Sequence, residues 1–265
     1  MTTPEYEVLA LRYATRETTT SQVYLNHHMY PGAADEPVVM DYFVWVVRHG
    51  ERCIVVDTGF TPEVGEARGR RTTTSVPDGL RQVGVDPEAV DTVVITHGHY
   101  DHTGHTHLFP RATFVISGRE LDFWTGPVAR RPLFAGSAQW GDIEALATLE
   151  AQGRVARMAG VKDVAPGVTV LEVGGHTVGQ LVVLVSGGDG EVLLASDAAH
   201  YYDEVTLDRP FVIVHDLERM YQAFDVLSDL GRRQGLSLVA GHDPAVLERF
   251  PAISPTDPGL GVRVG

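Results

Sequence analysis

Three histidines and an aspartate stand within six residues of one another, directly after an apolar run. The run covers residues 93–95, and the segment 97–102 has the sequence HGHYDH. Imidazole nitrogens and carboxylate oxygens are ligands that zinc and its first-row neighbours prefer. Because His97 and His99 lie two residues apart, an extended backbone points both to the same side, where they can hold one ion. Asp101 and His102 follow a turn and can face a second ion, so the segment predicts a metal site.

Three further ligand-type residues come at the ends of other β-like runs. His176 follows residues 170–173 through two glycines, Asp197 follows residues 192–196, and His242 follows residues 238–241. In sandwich and α/β folds the loops at one end of the strands gather in one place and build sites. Four strands that deliver histidines and aspartates to one place predict a centre for two metal ions.

The elements that must position these residues are short β-like runs with helices between them. The runs are rich in β-branched residues and cover residues 42–47, 54–56, 92–95, 112–116, 168–171, 181–185, 192–194 and 236–239. Apolar residues at helical spacing predict helices over 143–152 and 217–233. Residues 251–265, rich in proline and glycine, are expected to be loosely structured. This mixture indicates an α/β or α+β sandwich, with residues 1–265 forming a single domain.

These motifs carry a family resemblance. The pattern His-x-His-x-Asp-His, followed by a lone His, an Asp and a final His, resembles the metallo-β-lactamase superfamily, and within it the N-acyl-homoserine lactonase branch. The supporting motifs are DTG at 57–59, GHTVGQ at 175–180 and GHD at 241–243. The resemblance covers roughly residues 40 to 245. It implies a four-layer αβ/βα sandwich of the metallo-β-lactamase type.

The resemblance also implies which residues hold the metals. Two zinc ions per chain are expected, with other divalent first-row metals as alternatives. The first zinc would be held by His97, His99 and His176. The second would be held by Asp101, His102 and His242. Asp197 and a hydroxide would bridge the two ions, which leaves one net positive charge to favour an attack that develops an oxyanion.

The implied reaction is the opening of a lactone ring by that bridging hydroxide, whose pKa two ions lower to roughly 7. Asp101 is expected to deliver the proton to the leaving oxygen. Lactonases of this branch often place a tyrosine three residues after the bridging aspartate, and here that position is His200. His200 can donate the same hydrogen bond, and Tyr201 or Tyr202 are the alternatives.

Four other positions receive weaker assignments. Asp57 ends its own strand and either orients a ligand histidine or forms the turn before Thr58 and Gly59. His28 and Met29 are expected to contact the substrate, because the N-terminal region of such lactonases lines the pocket. Tyr201 is a further expected contact, because it stands next to His200.

The composition of the chain argues against several classes of protein. The chain of 265 residues has 21 Lys and Arg against 35 Asp and Glu, a formal charge of −14 that argues against nucleic-acid binding. Its single cysteine excludes an internal disulfide. The first residues show no basic segment before an apolar stretch, and no apolar run reaches the roughly 18 residues of a membrane span. A soluble, cytoplasmic protein is therefore expected, with no membrane partner.

The sequence thus favours a dinuclear zinc hydrolase that opens N-acyl-homoserine lactones, with a small-molecule lactone as its partner and a homodimer left open. A glyoxalase-II-like thioester hydrolase and a lactonase for another catabolic lactone are the alternatives, and a non-catalytic metal-binding protein is disfavoured because structural zinc sites are closed. Flavin-dependent di-iron relatives use glutamate where His99 stands, and secreted β-lactamases lack an aspartate equivalent to Asp197.

Overall fold

Two β-sheets form the centre of the structure, a computed structural model that describes residues 4–265. The strands are β1 Glu7–Thr19, β2 Pro37–His49, β3 Arg52–Val56, β4 Arg71–Thr72, β5 Thr92–Val94, β6 Thr113–Ser117, β7 Val155–Met158, β8 Val161–Ala165, β9 Val168–Glu172, β10 Leu181–Gly187, β11 Gly190–Ser196, β12 Leu236–Ala240 and β13 Gly261–Arg263. The α-helices are α1 Thr20–Val23, α2 Pro62–Ala67, α3 Val76–Gln82, α4 Tyr100–Thr103, α5 Gly118–Thr125, α6 Pro132–Ala135, α7 Trp140–Ala151, α8 Tyr202–Thr206, α9 Leu217–Gly231 and α10 Val246–Arg249. Short 3₁₀ turns lie at His27–Met29, Pro87–Ala89 and Thr106–Leu108.

The larger sheet has the strand order β13-β1-β2-β3-β5-β6-β7, with β4 paired to β1. The smaller sheet has the order β12-β11-β10-β9-β8. Most neighbours are antiparallel, but β3, β5, β6 and β7 run parallel, and so do β11 and β12. The parallel strands matter for function, because their carboxyl ends open on the same edge of each sheet.

The sheets pack face to face, and helices cover their outer faces. In β10, Val183 and Val185 belong to the core between the sheets, whereas Val182 packs with Leu227 of α9 on the other side. This alternation follows from the two-residue period of a strand. On the outer face of the larger sheet, Val93 packs in one cluster with residues of α3, α5 and α7. The four-layer αβ/βα sandwich predicted from the sequence is confirmed.

Each predicted β-like run lies wholly or mostly within an observed strand, and the two predicted helices are α7 and α9. The strand β1 was not predicted, because polar residues interrupt its apolar pattern and a bulge between Arg12 and Ala14 breaks the alternation. Residues 251–260 form no helix or strand, as expected, but the expectation of a loose end is wrong for the residues that follow. There β13 pairs with β1, and Val262 is fully buried, since an edge strand of three residues needs little periodicity.

Within residues 4–265, no helix is long and apolar enough to cross a membrane. The prediction that no secretory signal is present depends partly on Met1, Thr2 and Thr3, which lie outside the described residues.

Candidate metal centre

The predicted ligands lie where strands of both sheets end. From the larger sheet, β5 leads into His97 and His99, and α4 then carries Asp101 and His102. From the smaller sheet, β9 leads to His176, β11 to Asp197 and β12 to His242. All seven side chains are buried, so strands that are far apart in sequence bring a dense polar cluster into the interior.

Glycines allow the chain to approach this cluster closely. Gly175 has φ +91°, and a Cβ there would lie 2.6 Å from the Cα of Met220. A Cβ on Gly241 would lie 2.5 Å from the backbone oxygen of Ser196. Both positions directly precede a predicted ligand, so larger residues there would push His176 or His242 out of place.

Among the described residues, three overlapping groups of side chains have mutually close ligand atoms. The third consists of Asp197, His200 and His242, and the first two contain the seven predicted ligands. In the first group one candidate atom of each residue lies within 4.8 Å of the others, and its members are His97, His99, His176 and Asp197. In the second group the same limit holds for Asp101, His102 and His242. This grouping matches the two ligand sets that the resemblance implied.

The two oxygens of Asp197 face different groups. Its Oδ2 lies 3.6 Å from His97 Nε2 and 3.4 Å from His176 Nε2. Its Oδ1 lies 3.3 Å from His102 Nε2 and 3.1 Å from His242 Nε2. A carboxylate placed in this way can offer one oxygen to each of two cations.

Three of the histidines are held by hydrogen bonds on their outer nitrogens. His102 Nδ1 donates to the Asp57 carboxylate at 2.7 Å, and His242 Nδ1 donates to the backbone oxygen of Asp41 at 2.7 Å. His176 Nδ1 donates to the backbone oxygen of Ile213 at 2.9 Å. Each bond orients its ring so that Nε2 faces the cluster. At His102 burial, which lowers the pKa, is outweighed by the carboxylates of Asp197, Asp57 and Asp101, which raise the pKa well above its usual value in the metal-free chain. A cation that binds at its Nε2 would therefore displace a proton.

Asp57 plays both roles that its sequence position suggested. Its backbone takes the turn with φ +62°. Its fully buried carboxylate accepts hydrogen bonds from His102 and from the backbone N–H of Thr96, at 2.7 and 2.8 Å. It therefore links the histidine segment to the end of β3.

The donor set suits divalent metal ions. Burial lowers the pKa of His97 and His176 well below the usual value and that of His99 to about 4, so these rings stay neutral at pH 7 and keep a lone pair. The Nε2 atom of His97 is buried and has no hydrogen-bond partner. A buried nitrogen without a partner is costly in a protein, and a bound cation would supply one.

Sequence reasoning missed Glu120, a fully buried carboxylate on α5. It accepts hydrogen bonds from Gly98 N at 2.9 Å, Gly179 N at 2.8 Å and Trp124 Nε1 at 2.6 Å. Burial raises its pKa, and these hydrogen bonds oppose that effect. Gly98 lies between two predicted ligands and Gly179 follows His176, so Glu120 ties together two ligand-bearing loops. The only sequence signal was an acidic residue in a helix after a strand, which is too common to single it out.

His200 lies beside the cluster. Its Nε2 is 3.0 Å from Asp197 Oδ2, its Nδ1 is 3.2 Å from Glu204 Oε1, and its ring stacks on Phe211. Burial, which lowers its pKa, is outweighed by Asp197 and Glu204, which raise it to about 9 in the metal-free chain.

The two tyrosines next to His200 are engaged elsewhere. The Tyr201 hydroxyl donates to the backbone oxygen of Val39 at 3.0 Å, and the Tyr202 hydroxyl donates to that of Leu238 at 3.2 Å. His200 lines a cavity over Asp101 and Asp197, and neither tyrosine lines a cavity beside the cluster, so Tyr201 and Tyr202 are less suited than His200 to meet a substrate.

The structure does not bring the N-terminal candidates to the cluster. His28 and Met29 lie in a 3₁₀ turn, and Met29 is 69% exposed. Neither residue lines a cavity that borders the predicted ligands. The only sequence signal for these two residues was their position before the first predicted strand. In the structure they follow the unpredicted strand β1.

Two adjoining cavities reach the cluster. One, of about 110 Å³, is bordered by His99 and His176, and its apolar wall includes Phe123, Trp124, Phe134, Val212 and Ile213. The other, of about 60 Å³, lies over Asp101, Asp197 and His200 and is also lined by Arg16 and Arg70. A ligand at the predicted metal positions would thus border both the first, apolar cavity and the second, which is called the polar cavity because of its charged side chains.

Fold and site together define a class of protein. The sequence model of the metallo-beta-lactamase superfamily matches residues 39–242, and the chain belongs to this superfamily. The resemblance inferred from the motifs is confirmed, and so is the expected class of enzyme, a metal-dependent hydrolase.

Characterised relatives show what the chain is similar to. It is 26% identical over 222 residues to N-acyl homoserine lactonase AiiB of Agrobacterium fabrum, which covers 75% of this chain and 78% of that protein. It is 31% identical over 186 residues to N-acyl homoserine lactonase AttM of Azorhizobium caulinodans, covering 64% and 65%. A solved quorum-quenching N-acyl homoserine lactone lactonase has the same fold with a TM-score of 0.78, 20% identity, and coverage of 95% and 98%.

Proposed function

We propose that this protein hydrolyses lactones with two divalent metal ions, that zinc is the metal, and that N-acyl homoserine lactones are the substrate class. The observation that carries the proposal is the pair of ligand groups joined by Asp197, whose two oxygens face them separately. The lactonase names of AiiB and AttM support the choice of substrate. We assign the first ion to His97, His99 and His176 and the second to Asp101, His102 and His242, with Asp197 shared.

The apolar cavity supports an acyl-bearing substrate. It opens at His99 and His176, so a scissile ester at the metals can extend an apolar chain along Trp124, Phe134 and Ile213. Burying each methylene there would stabilise the complex by about 0.8 kcal/mol. A substrate without such a chain would leave this wall in contact with water.

When bound, two divalent ions supply Lewis acidity and lower the pKa of a water molecule that can attack the carbonyl. The protein residues supply the rest. Asp101 lines the polar cavity with its oxygens 3.8 to 3.9 Å from the Nε2 atoms of His102 and His242. We assign its carboxylate to carry a proton from the attacking water to the leaving oxygen. His200 Nε2 is assigned to donate a hydrogen bond to the substrate oxygen, with its ring held by Glu204 and Phe211.

A thioester hydrolase is the second candidate. The chain is 30% identical over 118 residues to a hydroxyacylglutathione hydrolase of Aeromonas hydrophila, which covers 43% of this chain. The same ligand constellation can serve a thioester. The two candidates differ in the leaving group, since an alkoxide must be protonated promptly and a thiolate need not be.

A hydrolysis panel tests the proposal. The purified, zinc-loaded protein is assayed on N-acyl homoserine lactones of several chain lengths, a simple γ-lactone and an activated thioester. We expect the highest kcat/KM on the acylated lactones, with a rise as the chain lengthens into the apolar cavity. Efficient thioester cleavage with no lactone turnover would replace the proposed function by the second candidate.

His200→Ala separates the two leaving groups. We expect lactone kcat/KM to fall by roughly 10-fold to 100-fold, because one hydrogen-bond donor in the transition state is lost. Thioester cleavage should stay close to the wild-type rate. The control is His107→Ala, which changes a histidine in the 3₁₀ turn after α4 that does not border either cavity. Equal losses of activity on both substrates would mean that His200 only supports Asp197 and does not contact the substrate.

A further inference from the structure

Two arginines line the polar cavity beside the predicted metal ligands. Arg16 lies near the end of β1, and Arg70 comes directly before β4. Both are partly buried, and both border the cavity that Asp101, Asp197 and His200 also line. A guanidinium in such a position meets any ligand that reaches the metals through this cavity.

Neither arginine has a carboxylate partner among the residues that the structure describes. Arg12 and Arg48 pair with Asp41 and Glu7, but other arginines, such as Arg68 and Arg154, also lack a described carboxylate within 4.0 Å. What distinguishes Arg16 and Arg70 is that they lack one while lining the cavity over the predicted metal ligands. A partly desolvated guanidinium without a counter-charge is unfavourable unless a ligand supplies one.

Both guanidinium groups also keep hydrogen-bond donors unused. Arg16 donates from Nη2 to Thr18 and Gln22, at 3.3 and 3.2 Å. Arg70 donates from Nε to the Tyr100 hydroxyl at 3.0 Å and from Nη1 to a backbone oxygen. A guanidinium has five N–H donors in a planar fork, so each side chain is held in place and can still bind an anion.

Within the proposed lactonase function, we propose that Arg16 and Arg70 bind a carboxylate on the substrate, so that the preferred lactones carry an acidic arm. A planar carboxylate accepts paired hydrogen bonds from a guanidinium, which a neutral acyl chain cannot do. The acidic arm would lie in the polar cavity, while the apolar cavity remains open to an alkyl group. Because the chain as a whole has a formal charge of −14, the two arginines would provide a local positive charge for the anion.

The test compares two lactones that differ only in charge. N-glutaryl-homoserine lactone ends in a carboxylate, and N-glutaramoyl-homoserine lactone ends in the isosteric amide. We expect the zinc-loaded wild type to favour the acid by about 10-fold to 100-fold in kcat/KM, mainly through KM, as for other charged hydrogen bonds. In the double variant Arg16→Gln/Arg70→Gln this preference for the acid should disappear, because a neutral glutamine cannot form a charged pair with the carboxylate.

Two further variants serve as controls. Arg111→Gln/Arg232→Gln removes the same charge from exposed positions outside the cavity and should retain the preference. Arg16→Lys/Arg70→Lys keeps the charge without the planar fork and should retain part of it. A thermal melt of each variant establishes that it is folded.

A binding measurement separates failure of this inference from failure of the proposed function. Calorimetry with the ring-opened product N-glutaryl-homoserine requires no turnover. We expect Arg16→Gln/Arg70→Gln to weaken binding of the acid product about 10-fold or more, compared with its effect on binding of the amide product. That result would support the acidic-arm site even if no lactone is hydrolysed. Equal binding of acid and amide products by the wild type would overturn it, even if neutral acyl homoserine lactones are hydrolysed rapidly.

Discussion

Asp197 lies between the two groups of predicted ligands. Its two oxygens lie between 3.1 and 3.6 Å from histidine nitrogens of both ligand groups. Burial alone would raise its pKa, but the surrounding histidines, His242 and His200 foremost, hold that pKa well below the usual value. The carboxylate is thus charged and shared, which suits it to fix the spacing of two cations.

Asp197→Asn should preserve the fold and remove most of the activity. An amide offers one neutral oxygen and so cannot neutralise and join two cations. We expect a loss on the order of 10² or more in kcat on the acylated lactone, as for other electrostatic deletions. Asp189→Asn, in an exposed turn, is the matched control. A variant within about threefold of wild type would reassign Asp197 to a structural role.

The clustering of the seven candidate ligands could be predicted from the sequence because their types are rare and their spacing is dense. HGHYDH at 97–102 has little other explanation. The outer contacts could not be predicted in the same way. His242 and His176 are oriented by the backbone oxygens of Asp41 and Ile213, and a backbone oxygen has no signature in a sequence. These partners depend on how distant segments pack.

At the scale of elements, α5 stabilises the site through Glu120. The helix lies next to two loops that carry ligands, and the carboxylate bonds to the backbone N–H groups of Gly98 and Gly179. Loops that bear ligands need such support, because their own hydrogen-bonding groups are not paired in a sheet. Metal binding and folding should therefore be coupled through this side chain.

Glu120→Gln should weaken both stability and metal binding. The amide must turn its NH₂ group toward at least one N–H donor, so one buried bond to a charged acceptor is lost. We expect the free energy of unfolding of the metal-free protein to fall by about 2 kcal/mol in urea titrations. Zinc affinity, measured by chelator competition, should fall about 10-fold.

The matched control for this change is Glu144→Gln on α7, where the carboxylate is 72% exposed. It should leave both quantities unchanged, because an exposed ion pair contributes little. If Glu120→Gln unfolded at the wild-type urea concentration and bound zinc as tightly, α5 would have no part in holding the loops.

Helices and strands could be predicted from the sequence where their apolar residues follow a single regular spacing. Helix α9 repeats apolar residues every three to four positions, and β10 is almost continuously apolar. The pairing of β1 with β13 joins segments about 250 residues apart and has no local signal. Such long-range pairing is decided by the packed core, in which Val262 and Leu9 are buried.

At the scale of the whole molecule, the two sheets bring ligands from both halves of the chain to one edge. His97 to His102 come from the larger sheet, and His176, Asp197 and His242 come from the smaller one. Neither sheet holds all the members of either predicted ligand group, so the candidate site exists only when the sandwich is assembled. Bound metal should accordingly stabilise the folded protein.

Metal titration of the chelator-stripped protein, followed by hydrolysis of an N-acyl homoserine lactone, tests the central claim most directly. Zinc is added in steps and the initial rate is measured at each step against protein concentration. We predict no turnover without metal and a rate that stops rising at two equivalents per chain, because both ligand groups must be filled. A plateau at one equivalent, or no lactone turnover at any zinc level, would contradict the account.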